Sequence, residues 1–370
     1  MGWTRCIQEN PFFSPSRTKM NWHHYLLSHS DMWVNGVTTV ESAQIHYNDY
    51  GRDEGRTVKD CSKLLQIVKD IAMPKASYRK LLVKLAAVPF FCGLFNQLNT
   101  LCAMAVLGHI LDNDIIVSGF YPEFQRQDIV VPLSSVVNLE HFNRMLAILG
   151  MRSRIYDQRH EVFIASTVPP DCDLLTYSKR LAVTRKNINM DLGMCYNVPV
   201  ANRGSDAINE LYNYISTHLR FNEVYYRAAS KLQEHLELHQ YHTIHLRLES
   251  DTAIFATQQH VPHSDWLRNT AAKYIKAMEQ IPTDRKIYAA TSLSPSELAT
   301  WQQFPTIITK PTDWREILQT SLPPGREINA IIDYIVACES SEFIGFIIST
   351  LSQNVALHRN FHGKPCILLL

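Results

Sequence analysis

A chain of 370 residues is long enough to bury a large core and to form two domains. Its 36 Lys and Arg nearly balance 35 Asp and Glu, for a formal charge of +1, and no long basic run occurs. Nucleic acid and anionic membrane surfaces are therefore not expected as main partners. Hydrophobic residues at 46% and charged residues at 19% describe an ordinary globular protein. The eight cysteines (Cys6, Cys61, Cys92, Cys102, Cys172, Cys195, Cys338 and Cys366) form no CxxC pair, so no zinc site is expected and the redox compartment stays open.

In chain order, residues 1–78 read as an N-terminal extension packing on the first domain, polar and marked by turns such as Asn35-Gly36 and Tyr50-Gly51-Arg52-Asp53. Residues 1–25 show no charged stretch followed by an apolar one of signal-peptide type. From residue 79 apolar strand and helix patterns alternate, as in a parallel α/β sheet. The first domain is placed at 79–225 and the second at 226–370. Cys92-Gly93-Leu94-Phe95-Asn96-Gln97 reads as a turn, with a helix over 98–111 and a strand at Ile115-Ile116-Val117 behind it. Gly93 lets backbone approach a ligand closely, and Asn96 and Gln97 put amides at the helix's first turn. Polar residues there also serve capping alone. Cys92 and Cys102 read as small apolar packing residues. The apolar region 81–111 is interrupted by Pro89, Gly93, Asn96, Gln97 and Asn99, so no membrane span is expected. Residues 206–239 read as one long helix joining the domains.

A strand is expected over 241–248, with His245 and Arg247 on one face and Ile244, Leu246 and Leu248 on the other. An arginine at the mouth of a buried strand needs an anion, and its planar fork suits a diphosphate. A salt bridge to Glu249 or Asp251 would satisfy it equally. Further strands are expected around Ile287 and Ile344, and a loop over 311–324. A helix carrying Asp333, a strand, a Ser349-Thr350 turn and a last helix ending at His358-Arg359 complete the chain. Ser349 and Thr350 also suit an N-cap, Asp333 a lysine partner, and His358-Arg359 the C-terminus of their own helix.

Taken together, GLFNQ before an apolar helix, HLRLESD in the middle and IIDYIVACESSEF with ALHR at the end resemble the O-fucosyltransferase-like glycosyltransferases, the plant branch most of all, over residues 85–365. That resemblance implies an α/β GT-B fold, two Rossmann-like domains facing a central cleft. It implies an inverting, metal-independent transferase with no cofactor, taking GDP-fucose as donor and a protein or glycan hydroxyl as acceptor. By the same resemblance Arg247 contacts the diphosphate and the glycosidic oxygen. Gly93, Leu94, Phe95, Asn96, Gln97, His245, Asp333, Ser349 and Thr350 bind the donor, and His358 and Arg359 are further donor-binding candidates. Two departures bear on the chemistry. Some relatives carry a carboxylate as general base before the first glycine, where this chain has Cys92, so the base stays unassigned between Glu249 and Asp251, which equally suit orienting Arg247. Where an aromatic follows the Ser/Thr pair, Leu351 stands here. A UDP-rhamnose-type polysaccharide transferase and a silent glycan-binding module remain alternatives; a dehydrogenase does not, for want of a GxGxxG after a strand. The family usually sits behind an N-terminal anchor. The expectation here is a cytosolic or otherwise soluble enzyme, or one whose anchor is missing, and no Asn-x-Ser/Thr acceptor occurs.

Overall fold

The structure is a computed structural model and describes residues 20–72, 83–85, 93–112, 114–117, 119–122, 129–157, 165–167, 189–191, 206–249, 252–282, 284–298, 301 and 306–369. Two compact units are present, Met1–Ser62 and Lys63–Leu370. Within the first, α1 (Trp22–Ser28), α2 (Asp31–Val34) and α3 (Val40–His46) are short helices. Asn21 caps α1 by accepting the N–H groups of His23 and His24, and Thr39 and Ser42 form a reciprocal capping box on α3. The buried Tyr25 ring packs edge-on against Trp22, His29 and Tyr47. Gly51 is required there, since a Cβ would lie 2.2 Å from the Tyr25 hydroxyl.

Among its described residues the second unit holds two parallel sheets of five strands each. In the first, β1 (Val83–Leu85), β2 (Ile115–Val117), β3 (Ile155–Asp157), β4 (Ala165–Thr167) and β5 (Asn189–Asp191) lie in the order β3-β2-β1-β5-β4. In the second, β6 (Tyr241–His245), β7 (Lys286–Ala290), β8 (Ile307–Thr309), β9 (Glu342–Phe346) and β10 (Cys366–Leu369) lie in the order β10-β9-β6-β7-β8. The helices between them are α4 (Ser62–Ile71), α5 (Leu94–Leu111), α6 (Leu139–Ile148), α7 (Asp206–Thr217), α8 (Glu223–His235), α9 (Ala253–Gln258), α10 (His263–Met278), α11 (Pro295–Leu298), α12 (Trp314–Ile317), α13 (Arg326–Glu339) and α14 (Thr350–Phe361). Two α/β halves, each built on a parallel sheet, result, as expected.

Helix α5 starts at Gly93 and stops at Asp112, whose left-handed backbone (φ 55°) closes the last turn. By length and composition α5 could cross a membrane, but every residue of it is buried in this fold, as in the core helix of a globular domain. The single helix expected over 206–239 is in fact two. Between α7 and α8 the chain turns at Arg220–Asn222, where Phe221 bridges to Val137 and Asn222 sits at the N-cap of α8. In β6 all five residues are buried, because a central parallel strand is covered on both faces. The strand ends at His245, so Arg247 belongs to the loop beyond it rather than to the expected longer strand. Helix α14 packs back on α5 and α7 of the first half, and Ser216 Oγ donates to Asn354 Oδ1 at 3.1 Å.

Candidate active site

Strand β6 delivers His245 and Arg247 to the carboxyl end of the second sheet, where open α/β sheets bind ligands. The loop is held by the buried Tyr274 of α10. Its hydroxyl donates to the His245 carbonyl at 2.6 Å and accepts the Arg247 N–H at 3.3 Å. Burial pushes the Tyr274 phenol pKa up, so it stays a neutral hydroxyl. Thr291, beyond β7, donates to the Leu246 carbonyl at 3.1 Å.

The Arg247 guanidinium donates through Nη1 to Glu249 Oε2 at 2.7 Å, so the salt bridge anticipated from the sequence exists. The second carboxylate oxygen of Glu249 accepts the N–H and hydroxyl of Ser292 at 3.2 and 3.0 Å. Burial, the largest single influence, raises the Glu249 pKa, but the charge of Arg247, the neighbouring His245 and the hydrogen bonds to the carboxylate together outweigh it and the net direction is down. Glu249 is thus an ionised, three-donor anchor for the guanidinium, and in that state a poor general base. Asp251, the other candidate base, lies outside the described residues.

His245 is buried, which drives its pKa down to about 4, further lowered by Arg247 and Arg326 and partly offset by Glu249 and Asp333. It is a neutral imidazole at pH 7, with Nδ1 2.7 Å from Ser352 Oγ. The neighbouring strand β9 ends beside β6 and leads into α14. Ser349 occupies the N-cap position of that helix, but its side chain makes no capping bond. The hydroxyls of Ser349 and Thr350 are therefore left for another partner at a helix N-terminus, where anions are favoured.

Across the unit, Gly93 caps α5, and the Leu94 N–H donates to Glu327 Oε2 at 2.5 Å. The Glu327 N–H in turn donates to the Pro122 carbonyl at 3.2 Å, an approach that needs Gly325 (φ 145°), where a Cβ would meet that oxygen at 2.8 Å. Gln97 pairs both ends of its amide with the backbone of Tyr121, each at 3.0 Å, and so fixes the Tyr121–Pro122 turn. Asn96 Oδ1 is buried with no hydrogen-bond partner among the described residues.

The sequence model of the GDP-fucose protein O-fucosyltransferase family matches residues 120–362, well over half of the chain. The chain belongs to that family. It is a glycosyltransferase of the fucosyl-transferring kind. Similar solved structures include POFUT1 in complex with GDP-fucose, at 10% identity and a TM-score of 0.49 over 77% of this chain and 98% of that one. Fucosyltransferase NodZ from Bradyrhizobium is similar at 12% identity and a TM-score of 0.44, over 75% of this chain and 93% of that one. No curated protein sequence matches the chain.

Several residues singled out from the sequence of this family member have other work to do. Leu94 is fully buried, and Phe95 packs in the interior on Tyr334 at 5.0 Å between ring centroids. Asp333 forms a buried ion pair with Lys310 at 2.6 Å and accepts the Tyr288 hydroxyl at 2.5 Å, so its partner is an interior lysine beyond β8 rather than a surface one. Burial lowers the Lys310 pKa, and the Asp333 charge acts against that. His358 and Arg359 lie roughly 13 Å along α14 from Thr350 at 1.5 Å per residue. Arg359 is completely buried, and its guanidinium donates to the carbonyls of Ala337, Ser340, Ser341 and Pro365. His358 donates through Nδ1 to the Thr217 carbonyl at 3.3 Å. The structure thus sets both apart from the groups at the strand ends. Cys92, which replaces a second glycine or a carboxylate of relatives, lies outside the described residues. Cys102 is buried within α5, as a small apolar residue would be, and Cys61, Cys102, Cys338 and Cys366 are free thiols. Among the described residues no three His, Cys, Asp or Glu side chains converge as a metal site.

Sequence reasoning missed Tyr274, Ser292, Lys310, Glu327 and Ser352. A glutamate in the first turn of a helix, as Glu327 is in α13, signals a favourable helix-dipole position and nothing more. The only local clue was Gly325 just before it.

Proposed function

We propose that this chain transfers fucose from GDP-fucose to a protein or glycan hydroxyl with inversion and without a metal. One observation carries the reading: Arg247, braced by Glu249, follows the end of β6, and the N-terminus of α14, with no side-chain cap from Ser349, follows the end of the paired parallel strand β9. A cation and a set of free N–H and O–H donors side by side suit a diphosphate.

In the transfer, the acceptor oxygen forms a bond to C1 of the sugar while the bond from C1 to the β-phosphate oxygen breaks. The electron pair leaves with GDP, and the acceptor proton passes to water. Negative charge grows on the diphosphate as that bond breaks. Fixed donors, here Arg247 with Ser349 and Thr350, stabilise this state more than the ground state. Charge neutralisation falls to these groups in place of a metal. His245 contributes as a neutral donor beside Arg247, and Asn96, with Gly93 and Gln97 positioning its turn, serves the opposite wall. Asp333 supports the donor site by fixing α13 against β7 and β8 through Tyr288 and Lys310.

Thermal unfolding of the purified chain with GDP and with UDP tests the donor. At a GDP concentration a hundred times its Kd, stabilisation of about 2.7 kcal/mol is expected. Stabilisation by UDP and not by GDP would transfer the reading to a UDP-sugar, and binding of free glycan without either nucleotide would replace it with a glycan-binding module.

A further inference from the structure

Gly345, in β9, is pressed from two sides. A Cβ there would lie 2.6 Å from the Phe343 ring and 2.7 Å from Ser352 Oγ, so only glycine lets the Ser352 hydroxyl come down onto the strand ends. Ser352 is completely buried in the first turn of α14. Its oxygen accepts the Phe346 N–H at 3.0 Å and lies 2.7 Å from His245 Nδ1. No other hydrogen-bond partner of Ser352 exists among the described residues.

A backbone N–H can only donate, so Phe346 takes up one lone pair of the hydroxyl and cannot receive its hydrogen. A buried O–H without an acceptor is strongly disfavoured, and His245 Nδ1 is the one acceptor in reach. A neutral imidazole accepts at one nitrogen and donates at the other. We infer that Ser352 donates to Nδ1 and thereby holds His245 as its Nε2–H tautomer, which makes Ser352 a positioning residue for the donor site. The reverse arrangement, Nδ1–H donating to Oγ, would fill both lone pairs of the hydroxyl and strand its hydrogen.

The tautomer decides what His245 can do. Its Nε2 has no hydrogen-bond partner among the described residues. Protonated there, His245 offers a donor to an anion; in the other tautomer the same atom would turn a lone pair toward it. The consequence for the diphosphate rests on the fucosyl-transfer reading above, while the tautomer itself does not.

Long-range 1H–15N correlation of the imidazoles in the full 15N-labelled chain at pH 7 reads the tautomer directly, with His245 assigned by its loss in His245→Gln. Nε2 is expected protonated and Nδ1 unprotonated. A protonated Nδ1 in the wild-type protein overturns the inference, whether or not any variant folds. Ser352→Ala and, independently, Gly345→Ala are expected to shift His245 toward the Nδ1–H form and to weaken GDP about tenfold, the loss of one oriented bond to a charged group. Ser352→Thr, which keeps the hydroxyl, is expected to retain the Nε2–H signature. GDP affinity that ignores Ser352, in a protein whose native tautomer is Nε2–H, overturns the link from Ser352 to the donor and leaves fucosyl transfer to be judged at Arg247.

Discussion

The carboxylate of Glu327 accepts the backbone N–H of Leu94 at 2.5 Å, closing the first turn of α5 with a group 233 residues away in sequence. Gly93 eases this approach, since a Cβ there would stand 3.2 Å from the same oxygen, a tight contact that would press the carboxylate back by a few tenths of an ångström. The contact ties the start of α13 to the half of the unit that carries the first sheet. Glu327→Ala removes both an acceptor and a charge favourable at a helix N-terminus, and is expected to lower stability by about 1–3 kcal/mol. Urea unfolding measures this; Glu327→Gln should lose less. An unchanged midpoint in both variants would remove the cap from the stability of the fold.

Acid should weaken the seam where α6, the end of α7 and α14 meet. His141, His218 and His358 sit there, with His218 stacked on Tyr214 at 4.0 Å and edge-on to Phe361. Burial lowers their pKa values from 6.5 to about 4, 3 and 4 respectively, and the neighbouring cations Arg144, Arg220, Arg359, Lys364 and His362 reinforce the direction. Below pH 6.5 the unfolded chain takes up protons that the folded chain refuses. Stability is therefore full above that value and falls as pH drops toward 4. A urea midpoint clearly lower at pH 5 than at pH 7, with the difference reduced in His218→Phe, is the expected result. Equal midpoints would show these rings to be solvated.

Lys310 and Asp333 form a pair whose side chains are each only 10% exposed. Removing one partner of a buried pair leaves a charge without compensation, so Lys310→Met is expected to cost about 3–5 kcal/mol. Replacing both, as Lys310→Met with Asp333→Leu, should recover much of that loss. Denaturant unfolding of the two variants tests the pairing, and a single variant as stable as wild type contradicts it.

Legibility from the sequence followed the range of the interaction. Helix α5 and strands β2, β6, β7 and β9 were visible because runs such as Ile115-Ile116-Val117 mark buried parallel strands. The family was visible because its motifs are local. The break between α7 and α8 was signalled by Asn222 and overridden by the apolar spacing on both sides. Glu249 could be paired with Arg247 because it is two residues away. Ser352, Tyr274, Glu327 and Lys310 come from elements tens to hundreds of residues distant, and no periodicity encodes which hydroxyl or carboxylate will meet which strand end. Arg359 stayed ambiguous in the sequence for a related reason: a cation near a helix C-terminus reads alike whether it faces a ligand or, as here, four backbone carbonyls.

In the proposed mechanism Arg247 is the cation that meets the diphosphate, and its replacement is the most direct measurement. GDP release from GDP-fucose, with an acceptor hydroxyl supplied, should fall about a hundred- to a thousandfold in Arg247→Ala. Arg247→Lys should restore little of it, because a point charge does not reproduce the fork. Arg247→Ala also leaves the Glu249 carboxylate without its cation, so some loss of stability is expected and the rate is compared at a temperature where the variant is shown to be folded. A folded Arg247→Ala enzyme turning over near the wild-type rate would contradict the mechanism.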